Sequence, residues 1–157
     1  MPRLRWATIA IIAALALSSC TSQEVDPRFA EPALTFKLHQ QALADGNLEL
    51  MWSCYSQSFK KSMFGGDFEA WARSWREKDA TARSAELERE IDDERLINER
   101  IAYLHFDPST LHSPQTSPFS YFLKEADGWK MTTHLDSTFH QELERAIDDG
   151  EFKLPDH

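Results

Sequence analysis

Residues 119–133 have the sequence FSYFLKEADGWKMTT, and this stretch decides the fold class. Phe119 to Leu123 is rich in aromatic side chains, which favour β-strands. Ala126-Asp127-Gly128 is a turn pattern, and Trp129 to Thr133 follows as a second short strand. The stretch therefore predicts a β-hairpin.

A single hairpin is only marginally stable in water, so its two strands need further strands beside them. The segments Ala82–Ile91 and Arg95–Phe106 are the available source, and we predict strands there, joined by a turn at Asp92-Asp93-Glu94. Helix propensity opposes this assignment, because residues 82–106 are rich in Glu, Arg, Ala and Leu and would favour one long helix. We expect the need for sheet partners to outweigh propensity, and the long helix is the alternative.

Two helices are predicted between Pro32 and Phe59. Pro32 suits the first turn of a helix, and Gly46 suits the position just after a helix end. Asn47 is a natural N-cap for the next helix, whose apolar side chains recur at helical spacing from Leu48 to Phe59.

A third helix and a terminal helix complete the predicted fold. Asp67 follows Gly65-Gly66 and suits an N-cap, and the residues after it place aromatic side chains on one helix face. Apolar residues from Phe139 to Ile147 indicate a short helix that ends before Gly150. Helices followed by an antiparallel sheet are typical of the α+β class. We therefore predict an α+β domain over residues 32–157, with N-terminal helices packed on the sheet and a short C-terminal helix.

The N-terminus carries a targeting pattern. Arg3 and Arg5 precede an apolar run from Trp6 to Leu17, which would be about 18 Å long as a helix, too short for a hydrocarbon core of about 30 Å. A cleaved signal peptide is therefore expected. Leu17-Ser18-Ser19-Cys20 resembles the lipobox of bacterial lipoproteins, in which an aliphatic residue and two small residues precede the cysteine.

The lipobox resemblance implies an anchored protein. In that family the peptide is cut before the cysteine, whose sulfur is diacylated and whose new amino group is often acylated too. The resemblance implies a lipoprotein signal peptide over residues 1–19, lipidation of Cys20 and a polar tether over residues 20–31. Thr21 replaces the aspartate that favours inner-membrane retention, which implies an outer-membrane anchor with the domain facing the periplasm. The alternative is a plain secretory signal with a chance cysteine.

The composition is that of a globular domain, with 41% apolar and 27% charged residues. A formal net charge of −9 argues against nucleic acid as a partner, because few basic side chains are left to neutralise phosphates. An acidic surface is also repelled by anionic lipid headgroups, so the acyl chains on Cys20 must hold the protein at the membrane. With Cys20 acylated, Cys54 has no intrachain disulfide partner and is expected to be a buried small residue.

Two segments resemble the nuclear-transport-factor-2-like superfamily. Gln41-Ala42-Leu43-Ala44-Asp45-Gly46-Asn47-Leu48, within residues 36–59, is similar to its opening helices, and residues 123–131 are similar to its last pair of strands. The resemblance covers about residues 33–134. It implies a curved sheet whose helices close one side of a cone-shaped pocket, with the helix after His134 placed to plug or cover that pocket.

The helices carry the candidate pocket residues. His39, Trp52, Tyr55, Trp71 and Trp75 are predicted to line the cone. The alternative, which their amphipathic spacing alone favours, is that these aromatic stripes are the core of the domain. An open cone would bind an apolar ligand or an envelope protein.

The residues expected for catalysis in this superfamily are an acidic or histidine base in the cone and a hydroxyl donor. Where the acid of the isomerases would fall, this chain has Lys61-Ser62-Met63-Phe64, and the next carboxylate, Asp67, is assigned as a helix cap. His39, Tyr55 and His105 are the remaining candidates. We expect no two of them to share a cavity with a carboxylate that orients the imidazole, so no catalytic residue is predicted and the protein is not expected to be an enzyme.

Four histidines are candidate metal ligands: His105, His112, His134 and His140. Asp107 and Asp136 lie near them in the sequence. No two have the spacing that places ligands on one helix face, so no metal and no cofactor are predicted.

Three functions stay open: a non-catalytic envelope lipoprotein that binds a partner protein or an apolar ligand, a pocket enzyme of the isomerase or hydratase kind, and a structural accessory subunit of an envelope assembly. We favour the first.

Overall fold

The computed structural model describes residues 25–153 and confirms the α+β class, with helices on the N-terminal side, a four-stranded antiparallel sheet and a short C-terminal helix. The predicted signal peptide and the predicted lipidation site at Cys20 lie outside the described residues. The helices are α1 Pro32–Ala44, α2 Leu48–Ser53, α3 Gln57–Phe64, α4 Phe68–Glu77, α5 Ala80–Ala85 and α6 Ser137–Asp148. The strands are β1 Ile91–Leu96, β2 Ile101–Phe106, β3 Phe119–Glu125 and β4 Gly128–Thr132.

The helix predicted from Pro32 is confirmed as α1. Pro32 occupies its first turn, and the chain leaves the helix through Gly46, whose φ of 66° is the left-handed conformation that glycine adopts without strain. Residues 27–29, which we assigned to the tether, form a short 3₁₀ turn. Phe29 in that turn is buried beside Trp129 of β4, so the folded domain includes part of the segment expected to be tether.

The prediction of a single helix over residues 48–59 is wrong, because α2 and α3 are separate. Between them the backbone pairs with β4: the Met131 N–H donates to the Cys54 carbonyl at 2.7 Å, and the Ser56 N–H donates to the Met131 carbonyl at 2.9 Å. The Ser56 hydroxyl then caps α3 by accepting a hydrogen bond from the Phe59 N–H at 3.1 Å. The helix breaks at these residues because their backbone groups form hydrogen bonds with the free edge of β4.

The strand prediction for Ala82–Ile91 is wrong for every residue before Ile91: α5 covers its start, and a turn and irregular backbone follow to residue 90. Asp79 Oδ1 accepts hydrogen bonds from the Thr81 N–H at 2.8 Å and the Ala82 N–H at 3.1 Å. These bonds satisfy donors that are otherwise free at a helix start, so local capping favours the helix here. The chain becomes a strand only from Ile91.

The predicted turn at Asp92-Asp93-Glu94 is also wrong, because these residues lie within β1. The turn to β2 is at residues 97–100, where Asn98 Oδ1 accepts hydrogen bonds from the Arg100 N–H at 2.8 Å and the Ile101 N–H at 3.0 Å. Acidic side chains are tolerated in β1 because it is an edge strand whose side chains reach water.

The predicted β3–β4 hairpin is confirmed, and the sheet order is β1-β2-β3-β4 with every neighbouring pair antiparallel. The inner face of the sheet is the face that packs against α1. Its buried side chains, which cluster with Phe36 of α1, are Ala102, Leu104, Phe106, Phe122 and Met131. These side chains fill the space between α1 and the sheet.

The outer face of the sheet is covered by α6. Because side chains alternate along a strand, Ile101, Tyr103 and His105 of β2 lie on this face. Phe139 and Ala146 of α6 are buried in the same cluster as Ile101, whereas Tyr103 and His105 stay partly exposed. The outer face is therefore less completely covered than the inner face.

Candidate functional site

Three of the five predicted pocket residues line one cavity among the helices. Tyr55, Trp71 and Trp75 border a space of about 190 Å³, which we call the helical cavity. Its other lining residues are Phe59, Phe64, Ser74 and Lys78. His39 lies behind Tyr55, and Trp52 packs against Trp71 with 5.2 Å between ring centroids instead of lining the cavity.

The helical cavity lies beside a packed aromatic core and opens to solvent at the exposed residues Ser74 and Lys78. Tyr55 and Phe59 stack with 4.6 Å between ring centroids, and Trp71 and Trp75 are nearly parallel at 6.1 Å. Both of these tryptophans are buried. Lys78 Nζ lies 4.4 Å from the centroid of the Trp75 ring, so the chain places its own cation at this aromatic surface.

A buried histidine supports Tyr55 from α1. The Tyr55 hydroxyl lies 3.1 Å from Nε2 of His39, which is 1% exposed. Burial, helped by the positive charges of Lys78 and Arg89, lowers the pKa of His39 to about 4, so the ring is neutral near pH 7. Burial raises the pKa of Tyr55, which therefore keeps its proton. Among residues 25–153, His39 Nδ1 has no hydrogen-bond partner and no carboxylate orients the ring.

A second histidine does have a carboxylate partner. His105 Nδ1 lies 3.0 Å from Asp92 Oδ2, across β1 and β2. The pair is at the surface, because 59% of the Asp92 side chain is exposed and His105 borders an open cleft of about 490 Å³ shared with His112 and Ser113. The pair is not evident from the sequence, which predicts a turn at Asp92, because only the strand register decides which residues face each other.

The two histidine sites are separate. The His39–Tyr55 pair lies among the helices without a carboxylate, whereas His105 with its carboxylate lies on the outer face of the sheet.

A second aromatic cavity, absent from the sequence prediction, lies on the outer face of the sheet. It is an open depression of about 220 Å³ beside β2, β3 and α6, and we call it the sheet-face cavity. Its lining residues are the aromatic Tyr103, Phe119, Tyr121, Phe139 and Phe152 and the aliphatic Ile97 and Leu143. The two tyrosine hydroxyls are the only polar side-chain groups in this lining.

The rings of the sheet-face cavity meet at steep angles. Tyr103 and Phe119 are 5.7 Å apart with an angle of 82° between the ring planes, and Tyr121 and Phe139 are 5.2 Å apart with an angle of 64°. His105 extends the aromatic surface at one end, 5.2 Å from Phe119. Rings at these angles form walls around a rounded space, whereas parallel rings would leave only a slot.

One wall of the sheet-face cavity, α6, is fixed at its start by Asp136. Asp136 Oδ2 accepts hydrogen bonds from Ser58 Oγ at 2.5 Å and Thr132 Oγ1 at 2.6 Å, and Oδ1 accepts one from the Thr138 N–H at 2.8 Å. Burial by itself would raise the pKa of Asp136, but these hydrogen bonds together lower it. The ionised carboxylate therefore joins α3, β4 and α6.

The described residues offer few groups for metal binding or for nucleophilic chemistry. In the described part of the chain, no three His, Cys, Asp or Glu side chains are grouped to hold a metal ion. Cys54 is buried as expected, and burial raises its pKa to about 11, so the thiol is protonated and a poor nucleophile near neutral pH. From Val25 to Lys153, no helix has the length and apolar character needed to cross a membrane.

Comparison with known proteins gives no match: no family model, no curated protein and no solved structure is significantly similar to this chain. The lipobox and the nuclear-transport-factor-2-like resemblance therefore stay predictions. The function has to be argued from the fold class, the two aromatic cavities and the two histidine pairs.

Proposed function

We propose that the protein is a lipid-anchored lipoprotein of the bacterial cell envelope, whose domain binds an apolar ligand and catalyses no reaction. The lipobox ending at Cys20 supports the anchor, and Thr21 supports a place at the outer membrane, facing the periplasm. The order of helices and antiparallel sheet supports, at a coarse level, a nuclear-transport-factor-2-like domain.

The observation that carries the binding function is the sheet-face cavity. Five aromatic and two aliphatic side chains give it an apolar lining, while Phe119 remains 37% exposed at its opening. Water in such a space finds few hydrogen-bond partners. Its replacement by an apolar group is favourable by about 25 cal/mol for each Å² of apolar surface removed from water. Small-molecule sites are typically lined in this way, with a few polar groups that fix orientation.

The arrangement of polar groups supports binding without catalysis. A general base needs a carboxylate or a second polar group to set its orientation and protonation state. The Tyr55 hydroxyl occupies Nε2 of His39, Nδ1 has no partner in the described residues, and the low pKa leaves the ring a weak base. The sheet-face cavity is lined by no acid and no histidine.

The pocket-enzyme alternative has one observation in its favour, the His105–Asp92 pair. A carboxylate bound to Nδ1 leaves Nε2 of the imidazole free to accept a proton. Because both side chains are partly exposed, water screens the pair and weakens its effect on a substrate. Loss of a hydrolytic or isomerase activity in His105→Ala, with ligand binding intact, would favour this alternative.

The anchor is tested by Cys20→Ala. Without the acyl acceptor, we expect no incorporation of labelled palmitate and accumulation of uncleaved precursor. The matched control is Cys54→Ala, which removes the other cysteine of the chain and should be lipidated and processed normally. Normal processing of Cys20→Ala, with retention in membranes after a high-salt wash, would contradict the lipoprotein proposal.

The ligand site is tested by fluorine NMR of the lipidated protein in nanodiscs. The chain has three tyrosines, so fluorotyrosine labelling gives one signal for the helical cavity, from Tyr55, and two for the sheet-face cavity, from Tyr103 and Tyr121. Toluene, an uncharged probe, should shift the two sheet-face signals with saturation and leave the Tyr55 signal in place.

Two tryptophan variants complete this test. Leu143→Trp should fill the sheet-face cavity and abolish the toluene-dependent shifts. Leu135→Trp is the matched control, because Leu135 is 72% exposed and outside the lining, and it should bind toluene as the unmodified protein does. A saturable shift of Tyr55 alone would move the ligand site to the helical cavity.

A further inference from the structure

The aromatic rings of this protein differ in whether the chain covers them with its own cations. Six cation–π pairs lie within the described residues: Arg28 and Lys130 with Phe29, Lys60 with Trp52, Lys78 with Trp75, Arg89 with Phe106, and Lys124 with Trp129. Within residues 25–153, no lysine or arginine lies over a ring of the sheet-face cavity. Its ring faces are left for a cation from outside the chain.

The charges at the rim of the sheet-face cavity also favour a cation. Asp92 bonds His105, and Asp93 is opposite His105 in the strand register. Because the His105 ring is 5.2 Å from Phe119, these two carboxylates lie just beyond the lining, on the Phe119 side of the cavity. The neighbouring cation, Arg95, is opposite Tyr103, and its Nε is 3.0 Å from Asp93 Oδ2. One carboxylate charge therefore remains uncompensated by this pair, on a protein whose net charge is −9.

The lining restricts which kind of cation fits. A primary ammonium group carries three N–H donors and loses solvation unless acceptors replace water. The lining offers only the hydroxyls of Tyr103 and Tyr121. A fully substituted, quaternary ammonium group has no N–H donor to satisfy, presents an apolar surface to the rings, and is attracted by their negative faces. The space of about 220 Å³ is also large enough, since an apolar cavity of about 150 Å³ holds benzene.

We propose that the sheet-face cavity binds a quaternary ammonium group of the choline type. The inference rests on the proposed ligand-binding function and adds the chemical class of the ligand. Tyr103, Phe119 and Tyr121 of the sheet form one side of an aromatic cage, and Phe139 of α6 forms the other. The same group occurs free in solution and on phosphatidylcholine headgroups, and both sources present identical chemistry to the cavity.

The experiment compares choline with neohexanol, an uncharged isostere in which carbon replaces the nitrogen. Each is titrated into the fluorotyrosine-labelled, lipidated protein in phosphatidylglycerol nanodiscs, with sodium chloride balancing ionic strength. We expect choline to shift the Tyr103 and Tyr121 signals and to bind about tenfold more tightly than neohexanol, because the isostere keeps the shape and loses the cation–π attraction. The Tyr55 signal should not respond.

A variant that lacks one aromatic ring tests whether the cage causes the preference for choline over neohexanol. Phe119→Leu keeps an apolar side chain at a partly exposed position but removes one wall of the cage, and should bring choline and neohexanol to nearly equal affinity. The matched control is Phe64→Leu in the helical cavity, which should keep the preference for choline. Tyr103→Phe should keep it as well, since the ring face and not the hydroxyl attracts the cation.

A second lipid composition separates the two sources of the group. If the lipid headgroup is the ligand, the protein in phosphatidylcholine nanodiscs shows the shifted Tyr103 and Tyr121 signals before any choline is added. If only the free form reaches the cavity, the signals stay unshifted until choline is titrated. Either result supports the proposal.

Two outcomes would overturn it in distinguishable ways. Equal or tighter binding of neohexanol at the Tyr103 and Tyr121 signals would reject the quaternary ammonium inference and leave the apolar ligand site standing. No response of these signals to choline, neohexanol or toluene would reject both the inference and the proposed function.

Discussion

The helical cavity and the sheet-face cavity are built from the same kind of side chain and differ in what surrounds them. Trp71, on the helical side, is 3% exposed among α2, α3 and α4, whereas Phe119, on the outer face of the sheet, is 37% exposed beside α6. Aromatic content alone therefore does not locate a binding site. How completely the surrounding elements cover the rings decides whether they become core or stay partly exposed.

The two cavities also differ in the charged side chains that lie beside their aromatic rings. Lys78 covers Trp75 at the helical cavity, so the chain itself occupies that aromatic surface. The sheet-face cavity has aromatic walls and acidic residues at its rim, with Asp92 and Asp93 at one end. Within the described residues, the chain's own lysine lies on the first aromatic surface, and no lysine or arginine lies over a ring of the second.

The largest expected effect tests whether the helical region is core. Trp71→Ala removes a buried indole from among the other rings and should lower the free energy of unfolding by about 3–5 kcal/mol. Phe119→Ala should cost about 1 kcal/mol or less, because its ring is already partly in water. Urea unfolding measures both values, and similar losses for the two variants would show that the regions are packed alike.

The next effect uses the pKa of His39, lowered to about 4 by burial from a usual value of 6.5. A group whose pKa is lower in the folded state stabilises that state fully above its unfolded pKa, and the contribution is lost as pH falls towards the folded value. Between pH 6.5 and 4 the protein should therefore lose about 3 kcal/mol through this residue.

His39→Gln should remove that part of the pH dependence. The measurement is the free energy of unfolding at several pH values, compared between the unmodified protein and the variant. His140→Gln, at an exposed position of α6, is the control and should keep the full slope. A slope unchanged in His39→Gln would mean that the His39–Tyr55 pair is open to water.

The parts of the fold that sequence predicts correctly are those fixed by local chemistry. Pro32 and Gly46 bound α1, and Asp67 caps α4 by accepting a hydrogen bond from the Ala70 N–H at 3.1 Å. The β3–β4 hairpin follows from its aromatic strand and turn pattern alone. Each of these decisions is made by residues close together in sequence.

The parts that sequence predicts wrongly depend on distant partners. The break between α2 and α3 occurs where residues 54–56 bond β4, more than seventy residues away. Asp92 lies in a strand because its neighbours Ile91 and Asp93 pair with β2 on either side of a register shift, a relation that helix propensity and turn composition both conceal. The sheet-face cavity needs the same long-range information, since β2, β3 and α6 must be placed before its rings come together.

The smallest expected effect concerns the wall of the sheet-face cavity. Asp136→Asn keeps the size of the side chain and removes the charge that Ser58 and Thr132 bond, which should cost about 1–2 kcal/mol. Hydrogen exchange should show the loss mainly at the amides of α6, with α1 still protected. The fluorine signals of Tyr103 and Tyr121 should broaden or move, while the Tyr55 signal stays as it was.

Asp136 should also make the stability of α6 depend on pH at the acid end of the range. Hydrogen bonding holds the pKa of Asp136 below its usual value of 3.8, so its contribution is complete above that value and is lost as pH falls through the lower folded value. Asp67→Asn, at the exposed N-cap of α4, is the matched control and should leave α6 exchange unchanged. If Asp136→Asn instead loosened α1 and α6 equally, the outer face would not be a separately held region, and the contrast between the two cavities would have to rest on exposure alone.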